Sequence, residues 1–253
     1  LEHTVAAGDG HGAGGGILHR DLDLNCLVGG QVDLHGGSGQ QTFGQAFANS
    51  CNCAFASIAG QLGGEALQRY AQQFCAMESI SFDGITTAKG NFDLTDAASV
   101  EIAWAGIGQH TDLVNPCQYL SFVGAIANGG SGVLPYVVQQ ITAGGSVTYA
   151  AQPQTAGRII SLATAQKLTE MMNSCVEVKY GSENFPNVTV CAKSGTAEKD
   201  GEAASDSLFP GFIDDPRYPL AFIVCIEDGG YGRPVCVPVL AEVLQACKEI
   251  MES

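Results

Sequence analysis

The chain is poor in basic residues and has no long hydrophobic run. Only 11 of its 253 residues are Lys or Arg, against 26 Asp and Glu, so its formal net charge is −15. Nucleic-acid binding needs clustered Lys and Arg to neutralise phosphates, so nucleic acid is an unfavourable partner. No apolar stretch approaches the roughly 20 residues of a membrane-spanning helix. The opening LEHTVAAGDG also lacks the basic end and apolar core of a secretory signal peptide.

The common metal-binding spacings are also absent. The ten cysteines form no C-x-x-C pair, and no H-E-x-x-H occurs, so no metal site is expected. Most of the cysteines lie inside apolar patterns such as FIVCI and LQACKEI. This placement favours buried free thiols over a disulfide framework.

What remains is the composition of a folded protein, with 45% apolar and 15% charged residues. The Gly-rich residues 1–41 predict loops with a short strand pair. Helices follow, then a strand over 133–141, a long helix, three further strands and a closing helix. We therefore predict one α+β domain over residues 1–253, with helices flanking a mostly antiparallel sheet.

Several helix starts carry capping signals. Thr42 and Gln45 form a Thr-x-x-Gln capping box. Thr95 is predicted to cap a helix that starts at the next residue, and Ser161 to cap the long helix after it. Asn115 precedes a proline, which is favoured at the first position of a helix.

The stretch VCAKSGTAE places a lysine at the end of an apolar run. In a strand, Val190 and Ala192 share one face, whereas Cys191 and Lys193 share the other. A solvated strand end is the simplest interpretation of Lys193. Cys191 lies on the same face of the strand and is expected to line the groove beside Lys193. The hydroxyls and glycine of residues 194–196 indicate more: a strand edge at which a peptide carboxylate docks as an added strand.

The stretch FANSCNCAF places Ser50 and Asn52 two residues apart at a break between helices. The simplest interpretation is capping, with Asn49 or Ser50 starting the second helix. Cys51, between them, is expected to pack inward.

Together the two stretches resemble the penicillin-binding transpeptidases, which are relatives of the serine β-lactamases. That family carries Ser-x-x-Lys, whose serine is the nucleophile, then Ser-x-Asn, then Lys-Ser/Thr-Gly. Ser50-Cys51-Asn52 resembles the second motif and Lys193-Ser194-Gly195-Thr196 the third. The resemblance extends in order over roughly residues 40 to 250, including AGIGQHTDLVNPCQYLSFVGAIANGG.

The resemblance implies a role for each motif residue. Ser50, helped by Lys193, would relay a proton to the leaving amine, and Asn52 would hydrogen-bond the substrate backbone. Ser194 and Thr196, on either side of Gly195, would bind the terminal carboxylate. The Thr196 N–H would form half of an oxyanion hole.

The resemblance also implies an activity. It is that of a D,D-transpeptidase that cross-links peptidoglycan by acyl transfer from D-Ala-D-Ala stem peptides and is acylated by β-lactams. Such an enzyme needs no metal or organic cofactor. It acts on the extracytoplasmic face of the bacterial membrane, with the division or elongation machinery as a partner of the full-length protein. The alternatives are a non-catalytic β-lactam-binding or sensor module and a β-lactamase.

The nucleophile motif is missing from this sequence. Thr, Val or Gln stands three residues before each of the six lysines, so Ser-x-x-Lys does not occur. We therefore expect an N-terminally incomplete domain, without the nucleophile helix and the first strands, that is inactive alone. Those strands would lie beside the last strand, near residues 220–228. We expect that edge to be covered by a second chain, another copy or the chain's own N-terminus, because an open hydrophobic edge invites aggregation.

Overall fold

The computed structural model describes residues 24–25, 40–74, 78–109, 111–198 and 204–253. The helices are α1 (Phe43–Ala48), α2 (Asn52–Leu62), α3 (Gly64–Phe74), α4 (Ser99–Ala105), α5 (Pro116–Ala127), α6 (Leu162–Cys175) and α7 (Gly232–Glu252). The strands are β1 (Leu24–Asn25), β2 (Gln40–Gln41), β3 (Ser81–Phe82), β4 (Ile85–Thr86), β5 (Ser131–Val133), β6 (Gln140–Ala143), β7 (Ser146–Ala150), β8 (Thr155–Arg158), β9 (Val190–Ala192), β10 (Gly195–Ala197), β11 (Asp206–Ile213) and β12 (Ala221–Ile226).

Three helix starts follow the predicted capping signals. The Thr42 hydroxyl accepts from Gln45 N, and the Gln45 side chain accepts from Thr42 N, which completes the capping box of α1. The Asn115 side chain caps α5, whose first residue is a proline. The Ser161 hydroxyl accepts from the backbone N–H of Thr164 and caps α6. These local signals satisfy N–H groups that a helix start leaves unpaired.

Two local predictions are wrong. Helix α4 begins at Ser99, and it is the Glu101 carboxylate that binds the backbone N–H before it. Thr95 lies in the preceding turn, where its N–H donates to Asp93. The strand predicted over 133–141 forms only at its two ends, in β5 and β6, because Pro135 lacks a ladder donor and interrupts it.

The central sheet is antiparallel in every pair that the structure describes there. Strand β11 pairs with β12 on one side and with both β9 and β10 on the other. Between β9 and β10 the ladder continues, since Lys193 N donates to Pro210 O at 3.1 Å. Residues 190–197 therefore form one nearly continuous strand that carries Lys193 at its middle.

Helices cover both faces of this sheet. Helix α7 packs on one face, together with the side chains of Val190, Ala192 and Phe209. Helices α5 and α6 pack on the other, together with Cys191 and Phe212. The predicted alternation along the strand and the α+β class are confirmed. That the whole chain forms one domain remains a prediction, because residues 1–23 and 26–39 lie outside the described ranges.

The cysteines divide by environment. Cys117, Cys175, Cys191, Cys225, Cys236 and Cys247 are free thiols. Cys51 is disulfide-bonded, so the expectation of free thiols fails there. Cys191 lines no groove: it is fully buried among the side chains of α5 and α6, and burial raises its pKa to about 12. The strand alternation predicted correctly which face of the sheet Cys191 occupies, but it did not predict that α5 and α6 cover that face.

The outer edge of β12 has no strand beside it in the part of the chain that the structure describes. Its expected covering therefore remains a prediction. Within the same ranges, no helix is long and apolar enough to cross a membrane. No group of three or more His, Cys, Asp or Glu side chains suited to a metal occurs there either.

Candidate active site

Ser50 lies in a tight turn between α1 and α2. Its φ of 52° falls in the left-handed region, where a non-glycine residue is strained. The turn is held by hydrogen bonds from Ser50 N to Phe47 O and from Cys51 N to Ala46 O. Cys51 is the N-cap of α2 and makes no side-chain capping bond. The capping interpretation is therefore wrong, and the exposed Ser50 hydroxyl is left for another role.

Lys193 extends from the strand to this turn. Its ammonium group donates a hydrogen bond to the Ser50 hydroxyl and another, of 2.9 Å, to the carbonyl of Ser194. It also lies 5.9 Å from the centre of the Phe47 ring. No carboxylate of the described residues forms an ion pair with it, and burial lowers its pKa. Lys193 therefore holds its proton less tightly than an ordinary lysine, directly beside a hydroxyl.

A buried tyrosine holds Ser194. The Tyr180 hydroxyl accepts from Ser194 N at 2.8 Å and donates to Ser194 Oγ at 3.0 Å. Tyr180 ends a π-helical turn that follows α6. The centre of its ring lies 5.0 Å from the centre of the Phe209 ring, in a T-shaped arrangement. Burial raises the pKa of Tyr180, so its proton stays on. Because Ser194 Oγ accepts from Tyr180, its own proton is available to a ligand.

Thr196 presents its backbone to the edge of β10 that pairs with no strand among the described residues. Its carbonyl accepts from Gln109 Nε2 at 3.2 Å, so that carbonyl points away from β11. Within one residue of a strand the N–H and C=O point to the same edge, which directs the Thr196 N–H outward as well. Its hydroxyl accepts from Gly232 N, the first residue of α7.

A glycine permits that approach of helix to strand. A Cβ on Gly232 would lie 2.5 Å from the carbonyl oxygen of Gly195, closer than real contacts allow. The amino end of α7 carries a partial positive charge, and it lies beside Thr196. Arg233 follows directly and is close enough to Tyr180 to influence its titration. The surroundings of this strand are therefore positive, although the chain as a whole is acidic.

Asn52 is the first residue of α2 and is exposed, two positions after Ser50. Its side chain makes no hydrogen bond within the described ranges, so its amide is open to a ligand. The fold thus brings the two motifs together through the Ser50–Lys193 contact. The sequence interpretation missed Tyr180 and Gly232, for which no local signal exists. It included Gln109 only as part of the stretch AGIGQHTDLVNPCQYLSFVGAIANGG, which resembles the family.

Comparison with known proteins gives the family of the chain. The profile of the family described as "Penicillin binding protein transpeptidase domain" matches residues 29–245. The chain belongs to that family.

Curated relatives point the same way. The peptidoglycan D,D-transpeptidase PbpA of Mycobacterium tuberculosis is 30% identical over 215 residues, covering 80% of this chain and 43% of that protein. Stage V sporulation protein D of Bacillus subtilis is 29% identical over 223 residues, covering 83% and 34%. The chain therefore spans less than half the length of these relatives.

Solved structures share the fold. The ceftriaxone acyl-enzyme of penicillin-binding protein A from M. tuberculosis superimposes with a TM-score of 0.76 at 24% identity, covering 83% of this chain and 49% of that one. The D,D-transpeptidase domain of a peptidoglycan glycosyltransferase from Eggerthella lenta gives a TM-score of 0.73 at 26% identity, covering 85% and 54%. The β-lactamase-like α+β class predicted from the sequence is confirmed.

Proposed function

We propose that this chain is the substrate-binding and proton-relay part of a peptidoglycan D,D-transpeptidase. In the reaction, a serine attacks the carbonyl between two D-Ala residues, the terminal D-Ala leaves, and an amine of a neighbouring stem peptide resolves the acyl-enzyme. Family membership and the names of the relatives support this assignment. The reaction takes place on the extracytoplasmic face of the bacterial membrane.

The observation that carries the proposal is the hydrogen bond from Lys193 to Ser50. When the amide bond breaks, the departing nitrogen needs a proton. Ser50 Oγ–H supplies it, and Lys193 Nζ–H replaces the proton on Ser50. The lowered pKa of Lys193 makes this donation easier, because the neutral amine is less unfavourable in its buried position.

The carboxylate of the terminal D-Ala is recognised next to this pair. Ser194 Oγ–H is free to donate, because its oxygen already accepts from Tyr180. Lys193, Arg233 and the amino end of α7 supply positive potential, which an anionic ligand of this acidic chain requires. Thr196 completes this carboxylate site through its own hydroxyl.

The substrate backbone lies along the open edge of β10. The outward N–H of Thr196 donates to the carbonyl oxygen on which charge develops in the transition state. The Asn52 amide, which makes no hydrogen bond to the described residues, bonds the peptide backbone. An extended peptide thus docks as an added strand, and its register fixes the carbonyl between the nucleophile and Ser50. Gln109, bonded to the Thr196 carbonyl, shifts to admit it.

The test measures acylation of the full-length protein, because the given sequence contains no Ser-x-x-Lys. The full-length protein is incubated with a fluorescent penicillin, and labelling is read after denaturing electrophoresis. We expect a covalent adduct that disappears when the serine of its Ser-x-x-Lys is replaced, and that forms much more slowly in Lys193→Met. The control Lys167→Met removes an exposed lysine of α6 and leaves labelling unchanged.

The remaining outcomes are informative. Covalent labelling of the 253-residue chain itself would show that it carries its own nucleophile. A long-lived adduct without cross-linking of stem peptides would assign a sensor module instead. Fast hydrolysis of the penicillin would assign a β-lactamase.

A further inference from the structure

A cavity of about 480 Å³ lies outside the candidate active site, and none of its described lining residues belongs to that site. It lies between the hairpin of β3 and β4, the segment 134–136, and β7 with the residues that follow it. Its size falls within the range of about 300–1,000 Å³ that is usual for small-molecule sites. The proposed reaction uses none of its residues, so its lining needs a separate explanation.

One part of the lining is aromatic and open to solvent. Tyr136 and Tyr149 are 43% and 41% exposed, and Phe82 is half-buried beside them. Aromatic rings in a concave wall present flat apolar faces to whatever enters. The strands that carry Tyr149 and its hairpin neighbours are exposed throughout, so the rings do not serve a core.

The polar part of the described lining is mostly uncharged, and of its hydroxyls that of Ser81 is bonded to Thr86. The carboxamides of Gln152 and Gln154 and the hydroxyls of Tyr136 and Tyr149 make no hydrogen bond to the described residues. Among the described residues, the one charged member of the lining is Asp83. One oxygen of its carboxylate accepts from two backbone N–H groups, which lowers its pKa. The described lining thus offers neutral donors and acceptors, one carboxylate and no cation.

The walls are joined before any ligand binds. Asp83, at the β3–β4 turn, accepts from the N–H groups of Val137 and Val138 at 2.7 and 2.9 Å. These two residues directly follow the segment 134–136, so the bonds tie the hairpin to it. Leu134 N donates to the Gln154 carbonyl at 2.9 Å, which ties the segment to the third wall. A preformed cavity loses less conformational entropy on binding than one that must be assembled.

We propose that this cavity binds uncharged N-acetylated sugar residues of the glycan that carries the stem peptide. The inference rests on the proposed function for its choice of glycan. Pyranose rings present C–H faces that stack on aromatic rings, while their hydroxyl and acetamido groups match carboxamides and phenols. A phosphorylated or carboxylated ligand is disfavoured, because the described lining residues supply a carboxylate and no cation.

Saturation-transfer NMR and calorimetry with the neutral tetramer of N-acetylglucosamine test the site on the 253-residue chain. We expect saturation of the acetyl methyl groups. Tyr149→Ala and Tyr136→Ala should each raise Kd at least about fivefold, because they remove a stacking face. Tyr149→Phe keeps the ring and should weaken binding less. Tyr70→Ala, which removes an exposed tyrosine of α3, is the matched control and should change nothing.

If an alanine variant misfolds by circular dichroism, Gln154→Ala replaces it, because the backbone bond of Gln154 to Leu134 is retained. Absence of saturation at millimolar sugar, or equal Kd values in all variants, overturns the proposal. Binding of a proline-rich peptide in place of the sugar overturns it too and assigns a protein-docking site. Sugar binding by a chain that fails every stem-peptide test leaves the cavity's assignment intact and rejects the proposed function alone.

Discussion

The ammonium group of Lys193 donates a hydrogen bond to the hydroxyl of Ser50, across 143 positions of sequence. The contact joins a strand to a turn between two helices, and each side has a cost. Ser50 is held at positive φ, and Lys193 is desolvated without a carboxylate partner among the described residues. Strain and desolvation concentrated at one contact are typical of a functional site.

Replacing Lys193 by methionine should stabilise the fold while removing function. A partly buried ammonium without an ion-pair partner among the described residues is unfavourable, and methionine fills a similar volume. We expect the free energy of unfolding to rise by about 1 kcal/mol, a common size for such replacements. Chemical denaturation measures this, and binding of a D-Ala-D-Ala peptide by NMR should be lost. A destabilised Lys193→Met protein would show that the ammonium contributes net stability.

Two replacements of Ser50 separate backbone strain from hydroxyl chemistry. Both Ser50→Gly and Ser50→Ala remove the hydroxyl, but only glycine adopts positive φ without a steric penalty. We expect Ser50→Gly to be more stable than Ser50→Ala by about 1 kcal/mol. Both should lower the rate of penicillin acylation of the full-length protein alike. Equal stabilities would mean that the turn relaxes, and unequal acylation rates would assign the effect to the backbone.

Tyr180→Phe should loosen the carboxylate wall. The change removes a buried hydroxyl that bonds both the N–H and the Oγ of Ser194, and leaves that N–H without its partner. We expect a loss of about 1–2 kcal/mol in the free energy of unfolding. Affinity for the peptide carboxylate should also weaken. Tyr231→Phe, at a tyrosine that is 70% exposed, is the control and should have neither effect.

Asp112 should make stability depend on pH. Burial raises its pKa from 3.8 to about 7, and one of its oxygens has no hydrogen-bond partner among the described residues. The folded chain therefore binds this proton more tightly than the unfolded chain does. The contribution of Asp112 to stability falls as pH rises from about 4 to 7.

Asp112→Asn tests this sign, because asparagine keeps the shape without the charge. The difference in Tm between variant and wild type should grow in favour of the variant between about pH 4 and pH 7 and then level off. Asp214→Asn, at an exposed carboxylate, is the matched control for the loss of one charge. A difference that is constant with pH would place the Asp112 titration outside this range.

The edge of β12 can be tested by hydrogen exchange. Pro210 directs its carbonyl to Lys193, away from β12, so its partner Ile223 forms a non-hydrogen-bonded pair. The N–H groups of Ile223 and Cys225 therefore point to the outer edge. If a second chain, another copy or the N-terminal segment covers that edge, both amides should exchange as slowly as that of Val224. Fast exchange at Ile223 and Cys225 alone would show an open edge.

Local chemistry determined much of this protein. The capping box at Thr42, the Asn115-Pro116 start of α5 and the alternation along residues 190–193 follow from neighbouring residues alone. Their hydrogen bonds close within a few positions, so the sequence predicts them directly. Thr95 failed as a cap because the Glu101 carboxylate, three residues after the true cap, bound the N–H of that cap instead.

The motif residues could be named from the sequence, but only tertiary structure decided their environment. Whether Lys193 meets solvent or Ser50 depends on how α1 and α2 pack against the sheet. The same packing buries Cys191 under two helices and brings Tyr180 to Ser194. Such contacts join residues far apart in the chain, and their energies depend on desolvation that no local pattern reports. The residue types thus determined which chemistry is available. Long-range packing determined the pKa of Lys193, the backbone strain at Ser50 and the partners of both motifs.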